Sequence, residues 1–240
     1  MTQAVNTPRY GQAFQARVFW TYAARLLSST TAVRRVGFES GPRGFDDVWV
    51  EYDPSRGPLD QFGRRLQVER FQCKWHVGNG TFTHVDLTDP KYSGATTTSL
   101  LQRARDAHLS DQSGGFASRI RLMTNHRVHL EDVLHKLVEQ QHHTLKLDEF
   151  FQGTTKQSKY WLAREIWKQH LKVDEAELRA FCERLALTSV SESLDDFRQR
   201  MNEALHSYGL KPSDPGSSST SYDQLPYDWL VQARDAFDAK

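Results

Sequence analysis

Cysteine is scarce in this chain, and long hydrophobic runs are missing from it. The 240 residues include two cysteines, Cys73 and Cys182, which lie far apart in the sequence. Such a pair argues against a disulfide framework or a zinc site and favours a reducing cytoplasm. No stretch approaches the roughly 20 apolar residues that span a bilayer, and the first residues lack the basic and apolar regions of a signal peptide. We therefore expect a cytoplasmic protein without a membrane partner.

Net charge is also small, but the charges are unevenly distributed. The formal net charge is +1, yet residues 1–130 carry 17 Lys and Arg against 11 Asp and Glu, and 15 of those 17 are arginine. Residues 131–240 carry 14 against 19. A solvated surface of chance composition explains this difference as well as a phosphate-binding surface does. Phosphate binding is the sharper hypothesis, because the planar fork of arginine suits it.

Hydrophobic periodicity predicts an α/β protein whose first part has the element order α-β-β-β-α-β, followed by a helix. Predicted helices cover 11–27, 98–108 and 129–141, and predicted strands cover 33–39, 46–52, 68–77 and 119–124. After about residue 145 the pattern is helical, over 158–171, 174–185 and 193–208. Acidic or hydroxyl N-caps at Asp174 and Ser193 and a glycine stop at Gly209 support the last two helices.

These patterns predict four regions along the chain. We expect a first α/β domain over 1–144 and a small α-helical domain over 145–210. A linker rich in Ser, Pro and Gly follows over 211–221. A terminal helix over 222–240 is expected to begin a further module of a longer protein.

The third predicted strand carries the most informative motif. Its period of two places Phe71 and Cys73 on one face, with Gln72 and Lys74 on the other. The preceding strand begins with Asp46 and Asp47, and a carboxylate beside Gln-x-Lys can hold a divalent cation. Magnesium prefers hard oxygen ligands, which the carboxylate of Asp47, the amide oxygen of Gln72 and the backbone carbonyl of Cys73 could supply. Lys74 would then stabilise charge at a scissile phosphate or orient a metal-bound water.

Several assignments around this motif stay open. Glu39 could add a second carboxylate, Gln15 could reach the same end of the sheet, and Asp46 could replace Asp47 as ligand. His76 shares the face of Lys74 and could touch substrate, although an ordinary surface histidine explains it equally well. Spacing alone even favours an amphipathic strand whose Gln72 and Lys74 only face solvent.

Residues 11 to about 137 resemble the restriction-endonuclease-like PD-(D/E)xK nuclease superfamily in its Mrr-like Gln-x-Lys form. The resemblance is carried by Gly11-Gln12-Ala13-Phe14-Gln15, by Gly37-Phe38-Glu39 with Asp46-Asp47-Val48, by Phe71-Gln72-Cys73-Lys74 and by the strand from Arg119 to Asn125. Most of the chain is similar to the N-terminal nuclease effector domains of bacterial antiphage defence proteins. Those proteins are CD-NTase-associated or linked to a STAND NTPase.

This resemblance implies a restriction-endonuclease-like α-β-β-β-α-β core with a mixed sheet. It implies an endodeoxyribonuclease that uses Mg²⁺ or Mn²⁺ and cuts double-stranded DNA with little sequence specificity. Asp47 would be the metal ligand, Gln72 would replace the usual acidic ligand, and Lys74 would be the catalytic lysine. Gln15 stands where many members have a glutamate. Arginines expected to hold the DNA backbone are Arg43, Arg70, Arg103 and Arg105.

Two further expectations concern partners. The family context implies a homo-oligomer with a sensor or NTPase module on the same longer chain. The two glutamines at positions that are usually acidic keep a second hypothesis open. In that alternative the domain is catalytically weak and serves to bind DNA or to assemble copies of the chain.

Overall fold

The fold is organised around a mixed five-stranded sheet with helices on both faces. The computed structural model describes residues 3–41, 44–113, 115, 117–153, 155–214 and 219–238. The strands are β1 (Val33–Phe38), β2 (Val48–Tyr52), β3 (Val68–Lys74), β4 (Thr81–Phe82), β5 (Ser118–Thr124), β6 (Arg127–Val128) and β7 (Leu185–Ser189). The main sheet has the order β1-β2-β3-β5-β7, and β4 pairs with β6 in a separate ladder. This arrangement confirms the predicted α/β class.

The sheet joins an antiparallel half to a parallel half. β2 runs antiparallel to both β1 and β3, whereas the β3–β5 and β5–β7 pairs are parallel. Val48 lies opposite Phe71 in the antiparallel half. Because neighbouring positions across two strands stay in step, Asp47, which precedes β2, falls beside Gln72.

Helices pack on each face of the sheet. They are α1 (Gln3–Ala23), α2 (Leu100–Ser113), α3 (Val133–Leu137), α4 (Leu147–Gln152), α5 (Lys159–Leu171), α6 (Glu175–Cys182), α7 (Leu194–Ser207) and α8 (Ser221–Asp238), with 3-10 turns at Ala24–Leu27, Asp86–Thr88 and Pro90–Ser93. One apolar cluster joins α1 and α7 to alternate sheet residues such as Phe71 and Cys73. A second cluster joins α2 to α6 with Ile120 and Leu122. The period-two pattern of β3 therefore has its expected consequence, with Cys73 buried in an apolar layer.

Local sequence signals set several helix boundaries. The side chain of Asp174 accepts from the backbone N–H of Glu177, and Ser193 accepts in the same way from Asp196; both positions form complete capping boxes. Gly209 has φ 79° directly after the end of α7, a conformation that favours glycine. These predicted helix starts and this predicted stop are confirmed.

The expectation of a purely helical segment over 145–210 was wrong. This segment supplies β7, which pairs parallel to β5 and forms an outer strand of the main sheet. Leu185, Ala186 and Leu187 are all buried, and a short run that is apolar on both faces is typical of a parallel strand. A run of three apolar residues is too short for periodicity to separate it from the end of a helix.

The predicted helix over 129–141 is also shorter than expected. Asp132 caps α3 by accepting from the backbone N–H of Leu134, and the helix ends at Leu137. Val138 then pairs with Leu145 in an isolated β-bridge. Across the described part of the chain, no helix combines the length and the apolar character needed to cross a membrane.

Candidate active site

Asp47 and Gln72 meet where β2 begins. One carboxylate oxygen of Asp47, Oδ2, accepts a hydrogen bond from Gln72 Nε2 at 2.5 Å and another from the backbone N–H of Cys73 at 2.7 Å. Asp47 is 8 % exposed and Gln72 is 2 % exposed. The β2–β3 register produces this contact between residues 25 positions apart. The structure thus brings together the two residues that the motif and the resemblance singled out.

Burial dominates the electrostatics of Asp47. Together with the nearby carboxylates of Glu39 and Asp46, it raises the pKa of this carboxyl to about 7. The charge of Lys74 and the N–H of Cys73 act in the opposite direction without restoring the usual pKa. Since desolvation disfavours the ionised form, this corner of the sheet has less positive charge than its carboxylates need.

Gln72 leaves a hard oxygen atom without a donor. Its Oε1 is buried and has no hydrogen-bond partner within the described residues. Buried polar atoms of this kind are nearly always satisfied. An amide oxygen beside a carboxylate matches the oxygen ligands that magnesium takes, so the donor set fits such an ion. No cluster of three or more His, Cys, Asp or Glu suited to a metal occurs among the described residues; magnesium uses few protein ligands, and an amide is not among those residue types.

Glu39 lies next to Asp47 and is held there by Gln15 of α1. Gln15 Nε2 donates to Glu39 Oε1 at 2.5 Å and lies 3.3 Å from the backbone oxygen of Asp47. The backbone N–H of Glu39 also donates to that oxygen, at 3.1 Å. Glu39 has φ 48°, which is uncommon for a residue other than glycine, and such strained residues concentrate at functional sites. Both open assignments, Glu39 and Gln15, are therefore close to Asp47.

The geometry also separates Asp47 from Asp46. Asp46 Oδ1 accepts from the backbone N–H of Gly44 at 3.2 Å and so helps to close the turn before β2. Asp46 is half-buried, whereas Asp47 points to Gln72. This favours Asp47 as the residue that acts together with the Gln-x-Lys motif.

Two cations approach these carboxylates. Lys74 is half-buried at the end of β3, and its charge lowers the pKa of Asp47. It makes no ion pair or hydrogen bond to any residue that the structure describes. Arg103, on α2, interacts electrostatically with Asp47 and Asp46 and donates to Ser93 Oγ. Its Nε is buried without a partner in the described ranges.

Gly44 allows Arg103 to come this close. A Cβ atom at Gly44 would lie 2.4 Å from Arg103 Cδ, and the backbone there has φ 89°. A larger residue would push the arginine stem away and would strain the turn. The turn before β2 is therefore shaped around a cation on the neighbouring helix.

The other arginines expected to contact DNA have different positions. Arg70 forms an ion pair of 2.5 Å with Asp111 and is largely buried, so its guanidinium is engaged inside the fold; its contact with DNA stays a prediction. Arg105 lines a different depression with Thr98 and His170. Arg43 lies outside the described residues. Of the three predicted arginines that the structure describes, Arg103 is the one that interacts with the carboxylates of Asp47 and Asp46.

Cys73 and His76 flank the site without acting as its charged groups. Burial raises the pKa of the Cys73 thiol well above its usual value, so the thiol is neutral. The side chain packs in the apolar layer, as predicted. The ring of His76 stacks on His126 at 3.9 Å. Burial, together with the charges of His126 and Lys74, lowers the pKa of His76 to about 4. His76 is therefore neutral near pH 7.

Sequence reasoning missed Tyr227, which comes from the terminal helix α8. Its hydroxyl lies 3.2 Å from Gln15 Oε1 and 3.2 Å from the backbone oxygen of Gln12. Its ring packs against Phe38 with a centroid distance of 4.9 Å. Nothing in the local pattern of α8 indicates this contact, because its partners are more than 180 positions away.

Comparison with known proteins adds one informative similarity. No family model matches the chain. CD-NTase-associated protein 4 of Enterobacter hormaechei subsp. hoffmannii (strain UCI 50) is 32% identical over 217 residues, which cover 88% of this chain and 42% of that protein. The chain thus spans less than half the length of this curated relative. The similarity agrees with the resemblance to CD-NTase-associated defence proteins that the sequence motifs indicated.

Proposed function

We propose that this chain is a metal-dependent DNA endonuclease domain that acts as an effector in antiphage defence. The observation that carries this proposal is the contact of Asp47 with Gln72, on the strand whose same face ends in Lys74. The arginine excess of residues 1–130 and the similarity to a CD-NTase-associated protein support it. The restriction-endonuclease-like assignment of the core is part of the same proposal, supported by the order α1-β1-β2-β3-α2-β5 around the site.

A divalent cation would be held by the Asp47 carboxylate, Gln72 Oε1 and the backbone carbonyl of Cys73. Glu39 could join them if Gln15 released it, because the two side chains are hydrogen-bonded. When bound, Mg²⁺ or Mn²⁺ would offset phosphate charge and make a water molecule more acidic. Such a cation would also supply the positive charge that the raised pKa of Asp47 indicates is lacking.

Phosphodiester hydrolysis adds water across a P–O bond. The water oxygen bonds to phosphorus, the bond to the bridging oxygen breaks, and the leaving oxygen gains a proton. Negative charge grows on the phosphate oxygens as this happens, and a preorganised cation stabilises it. Lys74 is suited to that role because it has no carboxylate partner in the described part of the chain. Arg103 offers a second positive charge on the neighbouring helix.

The direct test is cleavage of supercoiled plasmid DNA with Mg²⁺, compared between the wild type and Lys74→Ala. Losing one charge-stabilising group should lower the cleavage rate roughly 100- to 1000-fold. Lys91→Ala is the matched control, since Lys91 is an exposed lysine in the same half of the chain; its rate should stay within about twofold. Equal cleavage by the wild type and Lys74→Ala would remove the proposed role of Lys74.

A second candidate function is DNA binding or assembly without efficient cleavage. It is favoured by Gln15 and Gln72, which stand at positions where the resemblance expects acidic residues. It predicts salt-sensitive DNA binding that survives Lys74→Ala, with no metal-dependent nicking by the wild type.

The proposed effector role also involves self-assembly and a regulatory module. We propose that the chain works as a homo-oligomer and that a sensor or NTPase module lies on the same longer protein. The relative continues well beyond the matched region, since the chain covers 42% of it. Light scattering of the purified chain would measure its mass in solution, and a strictly monomeric mass at all concentrations would contradict self-assembly by this region.

A further inference from the structure

A polar pocket lies on the opposite face of the sheet from Gln72, near the start of β3. It has a volume of about 620 Å³ and is bounded by α1, α7 and the central strands. Its polar lining consists mainly of arginines and tyrosines. The residues relevant to its chemistry are Tyr22, Arg25, Tyr52, Glu69, Arg119 and Tyr208.

Arg119 is the unusual member of this lining. Its side chain is only 7 % exposed, and its closest carboxylate oxygen, Glu69 Oε1, lies 3.9 Å from Nη1. Its Nη2 is buried and has no hydrogen-bond partner among the described residues. A guanidinium presents five N–H donors, and burying them without acceptors is costly. The Nη2 atom of Arg119 therefore needs a hydrogen-bond acceptor that no described residue provides.

Glu69 cannot be that acceptor because it is already engaged. Its Oε1 lies 2.8 Å from Arg121 Nε and 2.7 Å from Arg121 Nη2. Its Oε2 accepts from the Tyr52 hydroxyl at 3.0 Å. One buried carboxylate thus serves two buried arginines, and Arg121 takes nearly all of it. A surplus positive charge remains at Arg119.

Arg25 adds a second cation to the same pocket. Its guanidinium lies over the Tyr22 ring, 5.1 Å from the centroid, and no carboxylate in the described residues forms an ion pair with it. Arg56 also lines the pocket but is paired with Asp53. Arg25, which has no ion pair in the described residues, and Arg119, whose ion pair with Glu69 is long at 3.9 Å, therefore share a pocket whose size is typical of small-molecule sites.

We propose that this pocket binds a phosphate group, free or as the ester of a small molecule, with Arg119 as its principal ligand. Phosphate near pH 7 carries between one and two negative charges, which matches the two available cations better than a monoanionic carboxylate does. Its oxygens can accept two parallel hydrogen bonds from one guanidinium. Tyr22, Tyr52 and Tyr208 line the same pocket, so the organic part of an ester would lie beside them.

This pocket is separate from the candidate active site. Side chains alternate along β3, so Glu69 and Gln72 project from opposite faces of the sheet. They also lie three positions apart, with Gln72 towards the end of the strand that carries Lys74. A phosphate bound at Arg119 is therefore distinguishable from one bound at Lys74 by substitution.

The test is calorimetric titration of the whole chain at constant ionic strength, with inorganic phosphate, adenosine monophosphate and acetate as probes. The proposal predicts saturable binding of at least one phosphate probe and no saturable binding of acetate. Arg119→Met should weaken phosphate binding at least tenfold, and Arg25→Met should weaken it less. Lys74→Ala is the control for the other site and should leave the affinity within about twofold. Tighter binding of adenosine monophosphate would identify an ester, and equal binding would identify phosphate alone.

The stability of Arg119→Met, measured without phosphate, gives a second test that does not depend on a binding signal. In phosphate-free buffer Arg119→Met should be as stable as the wild type or more stable, because it removes an unsatisfied buried charge while keeping an apolar stem. Phosphate should raise the melting temperature of the wild type but not that of Arg119→Met. The proposal is overturned if no phosphate probe binds saturably, if Arg119→Met binds as well as the wild type, or if Arg119→Met is clearly less stable without phosphate.

Discussion

The two ends of β3 carry opposite imbalances of charge. At one end Asp47 contacts Gln72, the carboxylates of Glu39 and Asp46 act on Asp47, and burial keeps the pKa of Asp47 raised. At the other end Arg119 and Arg121 share the single carboxylate of Glu69. One strand therefore presents a site short of cations on one face and a site short of anions on the other. Buried charge is stabilised only when it is paired and hydrogen-bonded, so each imbalance indicates a different class of ligand.

The largest effect, a loss of stability at the Arg119 end of β3, is expected from Glu69→Gln. It would leave two buried arginines without their carboxylate, and the free energy of unfolding should fall by about 3–5 kcal/mol. Glu51→Gln is the control, since Glu51 pairs with the exposed Arg35 and should cost less than about 1 kcal/mol. Urea unfolding would measure both. A change under about 1 kcal/mol for Glu69→Gln would show that the two arginines are satisfied without it.

The same substitution predicts a pH dependence. Burial tends to raise the pKa of Glu69, but the charges of Arg121 and Arg119 and the hydrogen bonds from Arg121 and Tyr52 outweigh it, so the pKa lies below its usual value. A lowered folded-state pKa stabilises the fold above the unfolded-state value of about 4.3. The difference in free energy of unfolding between the wild type and Glu69→Gln should therefore decrease as pH falls below about 4.

At the other end, Asp47→Asn should separate activity from stability. Losing the carboxylate should reduce metal-dependent plasmid cleavage roughly 100- to 1000-fold. The melting temperature without metal should not fall, because the asparagine removes a buried charge whose desolvation raises the pKa of Asp47. Asp46→Asn is the matched control, and its rate should fall much less. A larger loss in Asp46→Asn would transfer the ligand role to Asp46.

Gln72→Glu would restore an acidic residue at the position where the resemblance expects one. Two carboxylates in contact should destabilise the metal-free protein, and Mg²⁺ should reverse this. We expect the Mg²⁺ concentration for half-maximal thermal stabilisation to drop about tenfold, which corresponds to about 1.4 kcal/mol. Gln141→Glu, at an exposed position, should leave this Mg²⁺ concentration unchanged. Equal metal dependence in Gln72→Glu and the wild type would contradict a metal at this end of β3.

The smallest effect is expected from Tyr227→Phe. It removes the hydroxyl that lies 3.2 Å from Gln15 Oε1 and should cost about 0.5–1.5 kcal/mol of stability. Because Gln15 also holds Glu39, the cleavage rate should change as well, by less than about threefold. Tyr222→Phe is the control, since its hydroxyl binds the backbone of Lys211 away from the site. If both variants altered the cleavage rate equally, the contact between Tyr227 and Gln15 would have no specific influence on the site.

Sequence reasoning captured the local features of this protein. Alternation along β3 correctly placed Cys73 in an apolar layer and Gln72 and Lys74 on the other face. It did not find β7, because Leu185-Ala186-Leu187 is too short to show a period. It also did not anticipate that Asp111 of α2 forms an ion pair with Arg70. Ion pairs between distant segments leave no trace in the spacing of either segment.

Composition, side-chain alternation and capping residues by themselves determined the α/β class, the faces of β3 and the starts of α6 and α7. Each of these depends on interactions within a few residues along the chain. Only the tertiary structure decided that Asp47 lies beside Gln72, that Tyr227 contacts Gln15 and that Arg119 Nη2 is buried with no acceptor among the described residues. Those facts depend on strand register and helix packing, which join segments from 25 to 212 positions apart.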